Sequence, residues 1–240
     1  MVEERSPRRC GALMLFVVPT PLGNLEDMTA RALRVLKESS VVFCEDTRRT
    51  RNLMSHFGLG APLERYDEND PRSVEKLLER VRRGDRVSLV SDGGLPGVSD
   101  PGRRAVALAR RENLPVTALP GPCAVAAAVA GSGLPGDSFL FLGFLQRAAS
   151  KRRRTFEEAK TLGRTIVVYE SPFRIVELLE DAEAALGPSA QAVLVRELSK
   201  IHEEWIRGTV ASVRAGLAAR SEILGEFVAL FHPDPEPSNA

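Results

Sequence analysis

The stretch VSLVSDGGLPGVSDPG, residues 87–102, constrains this chain more than any other. A short apolar run (Val87, Leu89, Val90) ends abruptly in Ser91-Asp92-Gly93-Gly94. Two prolines and two further glycines follow, and Asp100-Pro101 then opens a helical pattern. A strand that runs into a glycine-rich loop and then a helix is where open α/β sheets bind their ligands. Glycine lets a ligand approach the backbone, and a helix start offers N–H groups without partners. A plain strand-to-helix connection needs neither, so the pattern favours a ligand loop.

The rest of the chain repeats the alternation. Strand patterns fall at residues 13–18, 41–44, 87–90, 115–119, 139–144, 165–169, 191–197 and 226–231. Helical spacing covers 29–37, 49–57, a segment opened by Asp70-Pro71 and ended by Gly84, a segment ending near Asn113, 123–130, 151–162, a segment capped by Ser171-Pro172 and running to Leu186, and 209–219. Alternation in both halves predicts α/β architecture with mostly parallel sheets. The turn-rich segment 131–137 is the expected boundary between two α/β domains, 13–131 and 132–232, with disordered tails at 1–12 and 233–240.

Composition excludes more than it selects. A net charge of +1 over 240 residues gives no global pull toward nucleic acid or membrane. The cysteines, Cys10, Cys44 and Cys123, are odd in number and widely spaced, which fits a reducing, cytoplasmic setting. Arg8-Arg9 and the apolar run after it resemble a weak signal peptide. The run is short, meets Pro19-Thr20-Pro21 and lacks a small-residue cleavage site, so it reads as a first core strand. No apolar segment reaches spanning length. Gly131-Ser-Gly-Leu-Pro-Gly136 has the letters of a dinucleotide fingerprint, but it follows a helix and precedes a strand, the wrong context. There is no phosphate-binding P-loop and no nucleophile elbow. His56, His202 and His232 have no ligand spacing, so no metal is expected.

What remains is a row of polar groups at successive strand ends: Asn24, Glu45-Asp46-Thr47-Arg48, Ser91-Asp92, Glu170-Ser171, and Arg196-Glu197 with Lys200, His202 and Glu203. Strand ends of a parallel sheet share one rim, so these point to a common cleft. Basic residues cluster at Arg48-Arg49-Thr50-Arg51 and Lys151-Arg152-Arg153-Arg154. Against a neutral background, two such clusters can follow a phosphate backbone. Aromatic residues are too few for a broad base-stacking platform.

In order along the chain, VVPTPLGNLEDMTARAL, CEDTRRT, HFGL, LVSDGGLPGVSDPG, LPGPCA, VVYESPFRI and RELSKIHEE resemble the signature segments of the ribosomal RNA small subunit methyltransferase I family. That family is tetrapyrrole-methylase-like, within the class III S-adenosylmethionine (SAM) methyltransferases. The resemblance implies two α/β domains with SAM in the cleft between them, a homodimer, and 2′-O-methylation of a cytidine in the decoding region of 16S rRNA within the small ribosomal subunit. Carried across, it implies cofactor contacts from Leu22, Ser91, Asp92, Gly93, Gly94, Val98, Cys123, Ala124, Glu170 and Glu197.

Three departures stand out. Leu95 replaces a usual Thr, the chain ends near Phe231 without a helical extension common in the family, and Tyr66-Asp67-Glu68-Asn69 matches only loosely. Methylating a ribose hydroxyl calls for a proton acceptor. Glu45, Asp46, Glu170 and Glu197 are candidates, and the corner Glu45, Asp46 and Arg48 is preferred because it adjoins a basic cluster. Arg49, Arg51, Lys151, Arg152, Arg153 and Lys200 are the expected RNA contacts. The rivals are a methyltransferase of the same class acting on a tetrapyrrole or a protein side chain, and a non-catalytic binding module.

Overall fold

The computed structural model describes residues 14–233. The expected tails fall outside these, apart from Pro233. Contacts divide the chain into two compact units, one of residues 25–122 with the segment up to Pro21, the other of residues 22–24 with the chain from Cys123 onward.

In the first unit the strands are β1 (Met14–Val17), β2 (Val41–Cys44), β3 (Leu63–Arg65), β4 (Arg86–Leu89) and β5 (Val116–Ala118). The helices are α1 (Ala30–Lys37), α2 (Thr47–His56), α3 (Pro71–Arg82) and α4 (Arg103–Arg111). The sheet order is β3-β2-β4-β1-β5, and all four pairings are parallel, as the alternation requires. Successive strand residues point to opposite faces. Leu15, Val41 and Phe43 therefore pack with α3 and α4 residues such as Leu77 and Ala105. Phe16, Val42 and Cys44 pack on the other face with Val35, Leu36 and Met54 of α1 and α2. With both faces covered, the sheet leaves its rim of loops for chemistry.

The local signals explain the helix starts. Thr29 caps α1 by accepting from the Ala32 N–H, and Asp70 caps α3 by accepting from Arg72 N–H with Pro71 at the first position. The helix after the glycine loop starts later than Asp100-Pro101. Its N-cap is Gly102, at φ +129°, where a Cβ would press to 3.1 Å from Leu89 Cδ2.

In the second unit the helices are α5 (Ala124–Ser132), α6 (Ala149–Lys160), α7 (Ile175–Leu186) and α8 (Val210–Ala218). The strands are β6 (Phe139–Phe144), β7 (Thr165–Glu170), β8 (Gln191–Arg196), β9 (Glu204–Thr209) and β10 (Phe227–His232). The order is β6-β7-β10-β8-β9. Here only β6–β7 is parallel; β10 runs against both β7 and β8, and β9 against β8. Five of the eight pairings in the two sheets are thus parallel, but they are concentrated in the first.

The difference has a local cause. EWIRGT alternates half-buried and exposed residues and carries Glu, Arg and Gly, so it reads as loop, yet it closes a hairpin onto β8. A hairpin can only be antiparallel. The division between units falls at Pro122 and Cys123 rather than in 131–137, because α5 packs on β10. Gly131 is where the Trp205 ring lies, 2.5 Å from where a Cβ would sit, and Gly133 ends α5 at φ +72°. Those glycines therefore serve packing and a helix stop.

Candidate active site

At the rim of the first sheet, the loops after β1 and β4 are joined. The Thr20 N–H donates to the Gly94 carbonyl and the Gly94 N–H to the Thr20 carbonyl, both at 2.9 Å. The buried Thr20 hydroxyl donates to the Ser91 carbonyl at 3.1 Å. Gly94 and Gly97 hold φ at +88° and +83°, a region L side chains avoid, so glycine shapes this loop. Leu95 is half-buried and its carbonyl accepts from the Val98 N–H at 3.3 Å. The Leu95 backbone thus closes a turn that any side chain permits.

The acidic corner after β2 separates into unlike parts. Asp46 caps α2: its Oδ1 accepts from the Arg48 and Arg49 N–H groups at 2.8 and 3.3 Å. Those backbone bonds hold its carboxyl below the usual range. Asp92 ties the β4 loop to the same corner. It accepts from the Asp46 N–H at 3.3 Å and from Arg49 Nη1 at 3.1 Å. Arg48 is largely exposed, its Nε 3.8 Å from Asp46.

Glu45 differs from both. Among the described residues its carboxylate has no hydrogen-bond donor and no ion pair. Burial pushes it up, and Asp92, Asp100, Glu68 and Asp67 push further, to about 7. Glu68, absent from the sequence-derived site, completes the setting. Its carboxylate accepts from the Gly102 N–H and, at 3.3 Å, from the Arg104 N–H, capping α4, whose own N-cap glycine has no side chain. No local pattern signals it, because the cap comes from the segment before α3. Beneath it, Tyr66 is buried and its phenol is raised to about 12, by burial first and Glu68 second.

In the second unit, Glu170 ends β7 almost completely buried. Its Oε1 accepts from Ser171 N–H at 2.7 Å and from Arg174 Nε and Nη2 at 2.9 and 2.7 Å. Its Oε2 is buried without a donor among the described residues. Ser171 does not cap α7; the helix starts at Ile175, after a turn that brings Arg174 back onto Glu170. An orphaned carboxylate oxygen is costly and suits a ligand that donates from an ammonium or a hydroxyl, both of which SAM carries. On that observation the residue fits the cofactor.

Glu197 is engaged elsewhere. It sits at φ +52°, and its Oε1 accepts from Lys200 Nζ at 2.9 Å and Glu226 N–H at 2.8 Å. Burial works to raise its carboxyl, but those two donors hold it below its ordinary value. Gly225, at φ +88°, leaves room for it: a Cβ there would lie 2.5 Å from Glu197 Cγ. Leu22 belongs to the short segment grouped with this unit, where Gly23 lies on the Lys200 stem. Cys123 is the half-buried N-cap of α5 without a side-chain cap bond, and Ala124 is its first residue.

The basic run on α6 requires a correction. Arg152 is buried: its Nε binds Asp181 Oδ2 at 2.6 Å, Nη2 binds Glu177 at 3.3 Å, and Nη1 binds the Arg147 carbonyl. Arg153 takes the other Asp181 oxygen at 2.6 Å. Arg152, Phe156 and Ala159 form the buried stripe of α6, so helix phase places this arginine in the core. Lys200 is likewise occupied, by Glu197 and Glu226. Arg51 and Lys151 are exposed, while Arg49 is held by Asp92.

Residues 14–214 match the family described as tetrapyrrole (corrin/porphyrin) methylases. The solved uroporphyrin-III C-methyl transferase of Thermus thermophilus, complexed with S-adenosylhomocysteine, has this fold, with a TM-score of 0.60 at 20% identity over 90% of this chain and 91% of that one. The family match, with the relatives that follow, defines a SAM-dependent methyltransferase. The chain is 41% identical over 218 residues to the ribosomal RNA small subunit methyltransferase I of a Hydrogenobaculum species, covering 90% of this chain and 94% of that one. It is also 41% identical over 214 residues to that of Halalkalibacterium halodurans, covering 89% and 73%. The chain belongs to the ribosomal RNA small subunit methyltransferase I family.

Proposed function

We propose that this enzyme methylates the 2′-hydroxyl of a cytidine in the decoding region of 16S rRNA, with Glu45 as the proton acceptor. The observation that carries this is the Glu45 carboxylate, which has no donor among the described residues and stands among acids at the rim of the glycine loop. Of the three corner residues, Asp46 is committed to the helix and Arg48 is a cation, which leaves Glu45 to take a proton. A base titrating near neutrality is matched to such work.

Bound SAM supplies a methyl group activated by its sulfonium. Ser91, Asp92, Gly93, Gly94 and Val98 of the glycine loop are residues that would hold it, and the orphaned oxygen of Glu170 suits a donor on the same cofactor. Cys123, Ala124 and Leu22 would line it. Arg48 in the first turn of α2 and Arg51 in its middle face solvent and suit a phosphate. The relatives' names support small-subunit rRNA as the acceptor; the assembled subunit is the proposed context and the cytoplasm the proposed setting. Among the described residues no helix is long and apolar enough to cross a membrane. A homodimer is supported by uncovered apolar side chains in the second unit, Phe144, Phe173, Ile201 and Leu224, all 57% exposed or more.

The test is incubation with radiolabelled SAM and small subunits lacking the modification, followed by mapping of the label. Label in a cytidine ribose of 16S rRNA is expected. Label on a base, or in another acceptor only, refutes the proposal.

A further inference from the structure

We propose that the groove between the last turns of α2 and the segment entering β3 binds a nucleobase of the same RNA, a few nucleotides from the one methylated, with Arg51 on its phosphate. This rests on the reading of the substrate as RNA. The groove has a volume of about 300 Å³ and lies wholly within the first unit. That is at the lower end for small-ligand clefts. Its lining is mixed: the apolar part comes from Met54, which is buried, and from Leu59, Ala61 and Leu63, which are half-buried. Apolar side chains beside polar ones suit a base, which has an apolar face and a polar edge.

Charge selects the occupant. α2, with the sequence TRRTRNLMSH, carries three arginines and no acid, and no carboxylate lines the groove. Asp92 holds Arg49, and Arg48 leans toward Asp46. Arg51, at the groove, has no ion pair among the described residues. Ser55 lies one turn further along the same helix face. Its exposed hydroxyl has no hydrogen-bond partner among the described residues, leaving it to meet a base edge. A cation, a patch of apolar side chains and a hydroxyl complement the phosphate, the face and the edge of one nucleotide.

Distance agrees. α2 begins beside Glu45 and ends at the groove, and ten residues of helix span about 15 Å. A stacked strand advancing roughly 3.4 Å per nucleotide covers that in about four nucleotides. Gly60 gives a clean probe. It lines the groove, its backbone is outside the positive-φ region, and a Cβ there meets nothing within 4 Å. A side chain at this position adds bulk at the groove without a clash at its Cβ.

The experiment compares wild type, Gly60→Leu and Arg51→Gln in two assays. One is methylation kinetics on unmodified small subunits. The other is photo-crosslinking to single-stranded RNA substituted with 4-thiouridine, with the adduct mapped by mass spectrometry. Both variants should raise KM for subunits about tenfold, Gly60→Leu through one lost base contact and Arg51→Gln through one lost phosphate contact. Their kcat should stay within about twofold and their SAM affinity unchanged, with wild-type melting curves. Adducts should fall within residues 55–63 and vanish in Gly60→Leu. A wild-type KM in both variants, or adducts elsewhere, overturns the groove assignment. If wild type transfers no methyl to subunits while adducts still map to the groove, the substrate reading fails and the groove stands.

Discussion

Replacing Glu45 with Gln should make the protein more stable and nearly inactive. The carboxyl is raised from its ordinary 4.5 to about 7. Below pH 4.5 it is neutral in folded and unfolded chains alike, and the substitution changes little. As pH rises, the unfolded chain releases the proton first, so the wild type loses stability between 4.5 and 7, and the penalty is complete above 7. At about 1.36 kcal/mol per pH unit the full penalty is roughly 3 kcal/mol. Glu45 is only partly buried, and screening by solvent reduces this to about 1–2 kcal/mol. Gln cannot ionise and escapes the penalty. Melting at pH 8 should therefore rise by about 3–6 °C over wild type, with no difference at pH 4. Methyl transfer should fall by about 10²- to 10⁴-fold, and the wild-type rate should climb through an apparent pKa near 7 on its acid limb. An equal gain at pH 4 and pH 8 would refute the charge argument. Wild-type activity in the variant would refute Glu45 as the proton acceptor.

Three further outcomes follow from the same geometry. Asp181→Ala leaves Arg152 buried without its main partner, so denaturant unfolding should show a loss of about 3–5 kcal/mol, while RNA affinity changes little. Glu68→Ala removes the α4 cap at a cost of about 1 kcal/mol. Because it also removes a like charge beside Glu45, the acid limb of the activity profile should move to lower pH. Glu170→Ala should weaken SAM at least about tenfold by calorimetry, and unchanged affinity would exclude its orphaned oxygen from cofactor binding.

Where signals are local, the sequence anticipates the structure closely. Asp70-Pro71 opens α3, and the apolar run 41–44 is β2. The parallel order of the first unit follows from its alternation. The second unit was less legible because pairing is not local: EWIRGT hides a strand, and nothing in FVALFH says that it inserts between β7 and β8. The candidate site divides in the same way. Glu45 and Asp46 are adjacent letters, yet Asp46 caps a helix while Glu45 faces acids from two separate loops. Lys151–Arg154 reads as a uniform basic run, but the phase of α6 turns Arg152 inward. Spacing to Phe156 and Ala159 was the available clue.

The central place of β10 has a consequence for synthesis. Before residues 227–232 leave the ribosome, β6–β7 and β8–β9 are two separate strand pairs, each with an open edge where β10 belongs. All six residues of β10 are buried, so the core of this unit cannot close until they arrive. Open edges invite wrong partners, and long-range closure is slow. The first unit has its whole sheet by Ala118 and carries no such dependence. During translation this protein therefore passes through a stage with one sheet complete and the other still waiting for its middle strand.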